Sequence, residues 1–223
     1  MSELLNPDDF VIVRRRKKYR FAKFANAKNC FEFDEWTKKE INVVELGAGT
    51  AFFLVELARR YPQKTFAAVD VKADRLQRGA YEALEQNIEN IVFIKARADQ
   101  IDELFEAHSL ESLWLTFADP FPRDRSARRR MTHPIFLKKY AVLLQKTGSF
   151  YVKHDNPAFF AWSLEQLVTE KWHIRELSFD LHDSELDSDY KIITSYEERW
   201  LGEGLKTNFV RATQQIGIRS DSV

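Results

Sequence analysis

Five short stretches of the chain carry residue types suited to holding and orienting a ligand: residues 45–50 (ELGAGT), Asp70, the near neighbours Arg97 and Asp99, residues 119–123 (DPFPR), and residues 154–156 (HDN). In the first, Gly47 and Gly49 leave out side chains where a ligand must come close to the backbone, and a helix starting there directs its free N–H groups outward. Alone, such a turn is no more than a tight connection between a strand and a helix. Asp70 changes its meaning, because a carboxylate at the end of the next strand can accept hydrogen bonds from both ribose hydroxyls of an adenosine-containing cofactor. Phe52 stands where a dinucleotide fingerprint has its third glycine, and the chain is too short for a separate substrate domain. S-adenosylmethionine, which has no pyrophosphate to cradle, therefore fits better than a nicotinamide dinucleotide.

These residues need a scaffold that gathers them at one edge. Short apolar runs rich in β-branched and aromatic residues alternate with segments of helical period, the pattern of βαβ units. Strands are predicted over 41–46, 65–71, 91–95, 112–117, 148–153, 173–180 and 206–211, and helices over 51–60, 73–86, 101–105, 134–144, 157–170 and 195–202. Thr132 reads as a helix N-cap with Pro134 in the first turn, and Gly148 as a turn residue before the fifth strand. The expectation is an α/β fold: a doubly wound, Rossmann-like sheet of seven strands with helices on both faces, spanning residues 41–213. Residues 1–40 are expected to form a basic N-terminal arm and residues 214–223 a polar tail. In such sheets ligands bind outside the carboxyl ends of the strands, and all five stretches follow predicted strands.

Basic and acidic residues number 34 each, so the net charge is zero, yet the charge is segregated. Residues 11–30 hold Arg14, Arg15, Arg16, Lys17, Lys18, Arg20, Lys23 and Lys28 with no acid among them. A second run holds Arg123, Arg125, Arg128, Arg129 and Arg130, while acids gather over 180–189. Interleaved with Tyr19, Phe21, Phe24, Phe121 and Phe136, the two runs point to a polyanionic partner. Cys30 is the only cysteine, which excludes an intrachain disulfide and a cysteine metal cage, and no histidine spacing suggests a metal. No stretch approaches the roughly 20 apolar residues of a membrane span, and the start MSELLNPDDF lacks a signal-peptide pattern, so the expected location is cytoplasmic.

ELGAGTAFFLVELARRYP, VDVKADRLQRGA, LTFADPFPRDRSARRRMTHPIFLKKY, YVKHDNPAFFAWSLEQL, SFDLHDSEL and TSYEERWLGEG together resemble the bacterial tRNA (guanine-N7)-methyltransferases. The resemblance is collinear from Glu45 to the C-terminal strand. It implies S-adenosylmethionine as cofactor, a guanosine in the tRNA variable loop as target, and an enzyme, monomeric or homodimeric, that needs no obligatory protein partner. It implies Glu45 at the methionine end of the cofactor, Asp70 on its ribose, and Asp119 beside both cofactor and target base, where it is the expected catalytic residue. After the third strand the carboxylate position is ambiguous between Arg97 and Asp99. Arg123, Asp155, Thr194, Ser195, Tyr196 and Glu197 are implied to contact the RNA. The chain departs from the family pattern with Ala51 for a glycine, Arg123 for a lysine, Ser126 for a histidine and His154 for a threonine.

Guanine N7 has an in-plane lone pair and no proton, so direct displacement of a methyl group from a sulfonium needs no general base. The site must instead align N7, methyl carbon and sulfur, a gain of about 7–11 kcal/mol in well-oriented reactions. A carboxylate accepting from guanine N1–H and the exocyclic amine would fix the ring's angle, and Asp119 and Asp155 are the candidates. Competing readings are a nicotinamide-dependent reductase, disfavoured by Phe52, a non-catalytic RNA-binding module, and a small-molecule methyltransferase, disfavoured by the basic runs.

Overall fold

The computed structural model describes residues 4–11, 15–194 and 196–214, with the backbone alone at 15, 16, 199 and 200. Its centre is an eight-stranded sheet of order β1-β4-β3-β2-β5-β6-β8-β7, made of β1 (Cys30–Glu32), β2 (Val43–Leu46), β3 (Phe66–Asp70), β4 (Ile91–Lys95), β5 (Leu110–Thr116), β6 (Leu144–His154), β7 (Trp172–Ser178) and β8 (Asn208–Gln214). Strands β1 to β6 run parallel, and β8 enters antiparallel between β6 and β7. The order reverses at β2, which pairs with β3 on one side and β5 on the other. Every residue of β2 and β3 is buried, as expected of central parallel strands covered on both faces.

Alternate strand residues feed two cores. Val43, Ala68 and Phe93 face the helices α1 (Arg15–Asn26), α2 (Phe52–Arg60) and α3 (Ala73–Glu85). Val44, Ala67 and Ile94 face α4 (Ile101–Leu104), α5 (Pro134–Leu143) and α6 (Pro157–Thr169). A short α7 (Glu197–Leu201) precedes β8.

The structure departs from the predicted elements in four places. The sheet has an eighth strand, β1, on its edge beside β4. Residues 15–36 therefore do not stand apart as an arm: α1 packs on α3 with Lys23 Nζ 4.5 Å from the Tyr81 ring centre, and the Trp36 indole donates to the Leu104 carbonyl at 2.8 Å. Hydrophobic Phe24, Ala27, Cys30 and Trp36 are buried beneath a basic outer face, which total charge hides. His133, not Thr132, caps α5, its Nδ1 accepting the Ile135 amide at 3.2 Å, while buried Thr132 pairs with the Ser163 hydroxyl at 2.8 Å. Gly148 lies inside β6 at a register shift against β5, with the Leu110 carbonyl 3.0 Å from where its Cβ would stand. Arg14, Ser195 and residues 215–223 lie outside the described residues.

Candidate active site

The turn after β2 is built on left-handed backbone: Gly47 (φ 73°), Gly49 (φ 57°) and Ala51 (φ 57°). Such angles are open to glycine and strained for alanine, so Ala51, where the resembled family has glycine, carries a local cost of about 1–2 kcal/mol. The amides of the turn itself, ahead of the helix, are engaged within the protein. Gly47 and Ala48 donate to the Val69 carbonyl at 2.7 and 3.1 Å, and Gly49 donates to Asp70 Oδ2 at 2.9 Å. Asp70 Oδ1 also accepts the Lys72 amide at 2.7 Å, so this carboxylate locks the two strand-end loops together. The close approach of helix to turn that a third glycine would allow is supplied from α3. There Gly79 lies so near the Thr50 carbonyl that a Cβ would stand 2.4 Å from the oxygen.

Two clefts open at this edge of the sheet and meet at Gly47, Arg75 and Phe117. The first, of about 820 Å³, has Glu45 and Thr116 on its floor, the 47–50 turn on one wall and Thr194 and Tyr196 on another. Arg20, Arg75 and Arg78 line it as well. The second, of about 770 Å³, brings Asp70, Arg97, Asp99 and Asp119 together around Ala96, Ala98, Phe121, Met131 and Phe136. Arg97 and Asp99 are bonded to each other at 2.6 Å, so both alternatives for the third strand end face the same cleft.

Glu45 is the most perturbed group at the first cleft. It is 1 % exposed, Oε1 accepts the Thr116 hydroxyl, and Oε2 has no hydrogen-bond partner among the described residues. Burial pushes its carboxyl up to about 8, against the Thr116 hydrogen bond and the Lys153 ammonium, which pull it down. Lys153, fully buried, donates to Glu197 Oε2 at 2.9 Å and to the Ile192 carbonyl at 2.9 Å, and burial lowers its affinity for its proton, opposed by Glu197.

Glu197 is a correction to the sequence reading, which put it on the RNA. It is 1 % exposed, and besides Lys153 its carboxylate engages His182 Nε2 at 2.7 Å, the Thr207 hydroxyl at 2.9 Å and the Thr194 amide at 3.1 Å. Its role is to hold the segment bearing Thr194 and Tyr196 against the first cleft. Asp155 lines neither cleft. Its Oδ1 lies 3.1 Å from His154 Nδ1 and its Oδ2 3.5 Å from the Tyr196 hydroxyl, and the adjoining histidine holds its carboxyl below the usual range. Arg123 is exposed at the start of a 3-10 turn over Asp124–Arg129 and also lines neither cleft.

The second basic run divides by burial. Arg128 and Arg129 line the second cleft, Arg129 lying 4.3 Å from the Phe121 ring centre. Arg130 is buried over Trp162, and its guanidinium donates to the Pro120 and Phe121 carbonyls at 3.1 Å. It clamps the DPFP loop, a function no charge count reveals. Thr116, Lys153, Arg75 and Arg78 were likewise not singled out, and Arg20 was read only as one of a basic run; Thr116 and Lys153 are polar residues inside otherwise apolar, buried stretches of β5 and β6.

The site fits S-adenosylmethionine. An orphaned buried carboxylate oxygen suits the ammonium of its methionine end, and the largely apolar second cleft, with Asp70 and Asp99 on its wall, suits its adenosine. Among the described residues no group of acidic, histidine or cysteine side chains could hold a metal, and no helix is long and apolar enough to cross a membrane.

Comparison with known proteins agrees with this geometry. A family model described as "Putative methyltransferase" matches residues 39–209. The tRNA (guanine-N(7)-)-methyltransferase of Brevibacillus brevis is 36% identical over 170 residues, covering 76% of this chain and 79% of that protein. That of Clostridioides difficile is 31% identical, covering 73% of this chain and 75% of the relative. Among solved structures, the 16S rRNA methyltransferase KamB superposes with a TM-score of 0.59 at 15% identity, over 82% of this chain and 90% of that one. The geranyl diphosphate C-methyltransferase of Streptomyces coelicolor, at 13% identity and TM-score 0.55 over 81% of this chain and 72% of that one, shares the same architecture. With a methyltransferase model spanning most of the chain and relatives above 30% identity along their length, this chain belongs to the S-adenosylmethionine-dependent tRNA (guanine-N(7)-)-methyltransferase family.

Proposed function

We propose that this chain transfers the methyl group of S-adenosylmethionine to N7 of a guanosine in the variable loop of tRNA, acting in the cytoplasm without an obligatory protein partner. The observation that carries the reading is the meeting of two unlike clefts at Gly47 and Phe117. One is broadly apolar, with Asp70, Asp99 and Asp119 set among arginines, and the other is polar, with Glu45 and Asp74 beside three arginines.

Asp70 and either Arg97 or Asp99 would hold the adenosine, and Glu45, on the floor below Gly47 and Gly49, the methionine end. When bound, the cofactor supplies an electrophilic methyl group on a sulfonium. The protein's own residues then have one task, which is to present N7 along the line of displacement. Asp119, exposed at the second cleft beside the junction, would accept from guanine N1–H and the exocyclic amine and so select guanine and set the ring's tilt. Thr194 and Tyr196, and Asp155 through Tyr196, would approach the nucleotide from the first cleft. Arg20, Arg75 and Arg78, with Arg128 and Arg129 at the other cleft and Arg123 beyond it, would take the flanking phosphates. We assign catalysis to residues 41–213, with the preceding segment serving to hold Arg20 at the cleft wall.

The test is incubation of the protein with S-adenosylmethionine and an unmodified tRNA pool, followed by nucleoside mass spectrometry and mapping of the modified position. The expected product is 7-methylguanosine confined to the variable loop. Methylation at another position would overturn the loop assignment, and no 7-methylguanosine at all would overturn the reading itself.

A further inference from the structure

His154 stands where the resembled family has threonine, and it is placed between the two loops that carry Asp119 and Asp155. It closes β6 and is 2 % exposed, with its ring 4.4 Å from that of Phe159 and 6.3 Å from that of Phe117. Its Nε2 lies 2.8 Å from the Ala118 carbonyl, which can only accept, so this nitrogen carries a proton. Its Nδ1 faces the Asn156 amide at 2.9 Å and Asp155 Oδ1 at 3.1 Å. A neutral ring accepts the amide there, and a protonated ring donates to the carboxylate. In both states Nε2–H stays on Ala118.

The loop it grips is strained and held from two sides. Phe117 (φ 53°) and Phe121 (φ 40°) both lie in the left-handed region, a conformation that persists in bulky residues only where the surroundings enforce it. His154 fixes the Ala118 carbonyl, and Arg130 fixes those of Pro120 and Phe121. Asp119 is the residue between the two clamps. A threonine at 154 could still cap the Asn156 amide two residues on, but its hydroxyl is too short to reach Ala118.

We propose that His154 is a positioning residue which ties the Asp119 loop to the Asp155 turn and thereby sets the spacing of Asp119 from the pair of Asp155 and Tyr196 around the target guanine. The proposal rests on the roles given above to Asp119 and Asp155. It does not extend to cofactor binding, because neither Asp70 nor Glu45 touches the ring.

The test compares the wild-type chain with His154→Thr, which loses the tether and keeps the cap, and His154→Gln, whose amide N–H can still donate to Ala118. Single-turnover methylation of tRNA should fall about tenfold or more in His154→Thr, since misplacement of about 1 Å can cost that much or more. Affinity for adenosylhomocysteine and for tRNA should stay within about threefold of wild type, and His154→Gln should recover most of the rate. A His154→Thr rate equal to wild type, or equal losses in both variants, overturns the proposal. So does a loss that appears in cofactor affinity instead of in rate. If His154→Thr does not fold, His154→Phe, which fills the space between Phe117 and Phe159 without a donor, takes its place. If neither folds, a His154→Gln rate within about threefold of wild type supports the tether and a larger loss overturns it. A wild-type protein that makes no 7-methylguanosine would instead sink the functional reading on which the proposal stands.

Discussion

Glu45 and Glu197 are both 1 % exposed, and Lys153 influences both, yet they sit in opposite circumstances. Around Glu197 every oxygen is engaged, by an ammonium, an imidazole, a hydroxyl and an amide. Around Glu45 one oxygen is bound by Thr116 and the other has no hydrogen-bond partner among the described residues, under a turn that includes a left-handed alanine. The corner at Glu197 is saturated and serves stability. The cleft floor at Glu45 is unsatisfied and strained, the condition of a surface that awaits a ligand.

The comparison is broken most forcefully at the saturated corner. Glu197→Ala leaves Lys153 buried without its carboxylate, a loss of about 3–5 kcal/mol for a broken buried pair, which lowers the melting temperature by on the order of 10 °C. Calorimetry of the two proteins measures it, and a shift of only a degree or two would mean the corner is not what holds the Thr194 segment. At the cleft floor the loss should appear in binding instead. Glu45→Gln should weaken adenosylhomocysteine by about tenfold to a hundredfold, the worth of a charged hydrogen bond, while the melting temperature of the unliganded protein stays level or rises. Titration calorimetry beside a thermal melt separates the two effects, and an equal loss of stability would erase the distinction between the two carboxylates.

Acidity gives a third measure. Glu45 titrates at about 8 in the folded protein against an ordinary value of 4.5, so its raised carboxyl favours the folded state at low pH. That contribution is lost as pH rises from about 4.5 through about 8, because ionising the group in place becomes progressively costly. A cation on the orphaned oxygen prefers the ionised form. Adenosylhomocysteine should therefore bind more tightly as pH climbs to about 8 and then level off, a dependence that Glu45→Gln should flatten. The smallest effect concerns the turn over this floor. Ala51→Gly relieves a left-handed alanine and should stabilise the protein by about 1 kcal/mol, read from denaturant midpoints.

Much of the scaffold was legible from residue order. The alternation of apolar runs and helical segments located every strand from β2 to β8, and most plainly the central parallel strands β2 and β3, which are buried on both faces and show it in composition. Strand β1 escaped because three residues on an edge carry no periodicity. The lining of the clefts was legible where a single residue type at a strand end suffices, as with Gly47, Gly49, Asp70 and Asp119. What supports that lining was not legible where identity alone says nothing of surroundings. Arg130 and Glu197 look like any charged residue in their runs, and only burial turns one into a loop clamp and the other into a strut.

What the sequence determined by itself was the layer order, the strand ends and the small residues of the turn, since these follow from local sterics and from the period of hydrophobicity. Tertiary structure alone decided which charges are satisfied. It set Lys153 beside Glu197 across 44 residues of chain, left Glu45 Oε2 without a partner among the described residues, and brought His154 to the Ala118 carbonyl. Desolvation and hydrogen-bond geometry depend on which distant segments meet, and those meetings exist only once the sheet has closed.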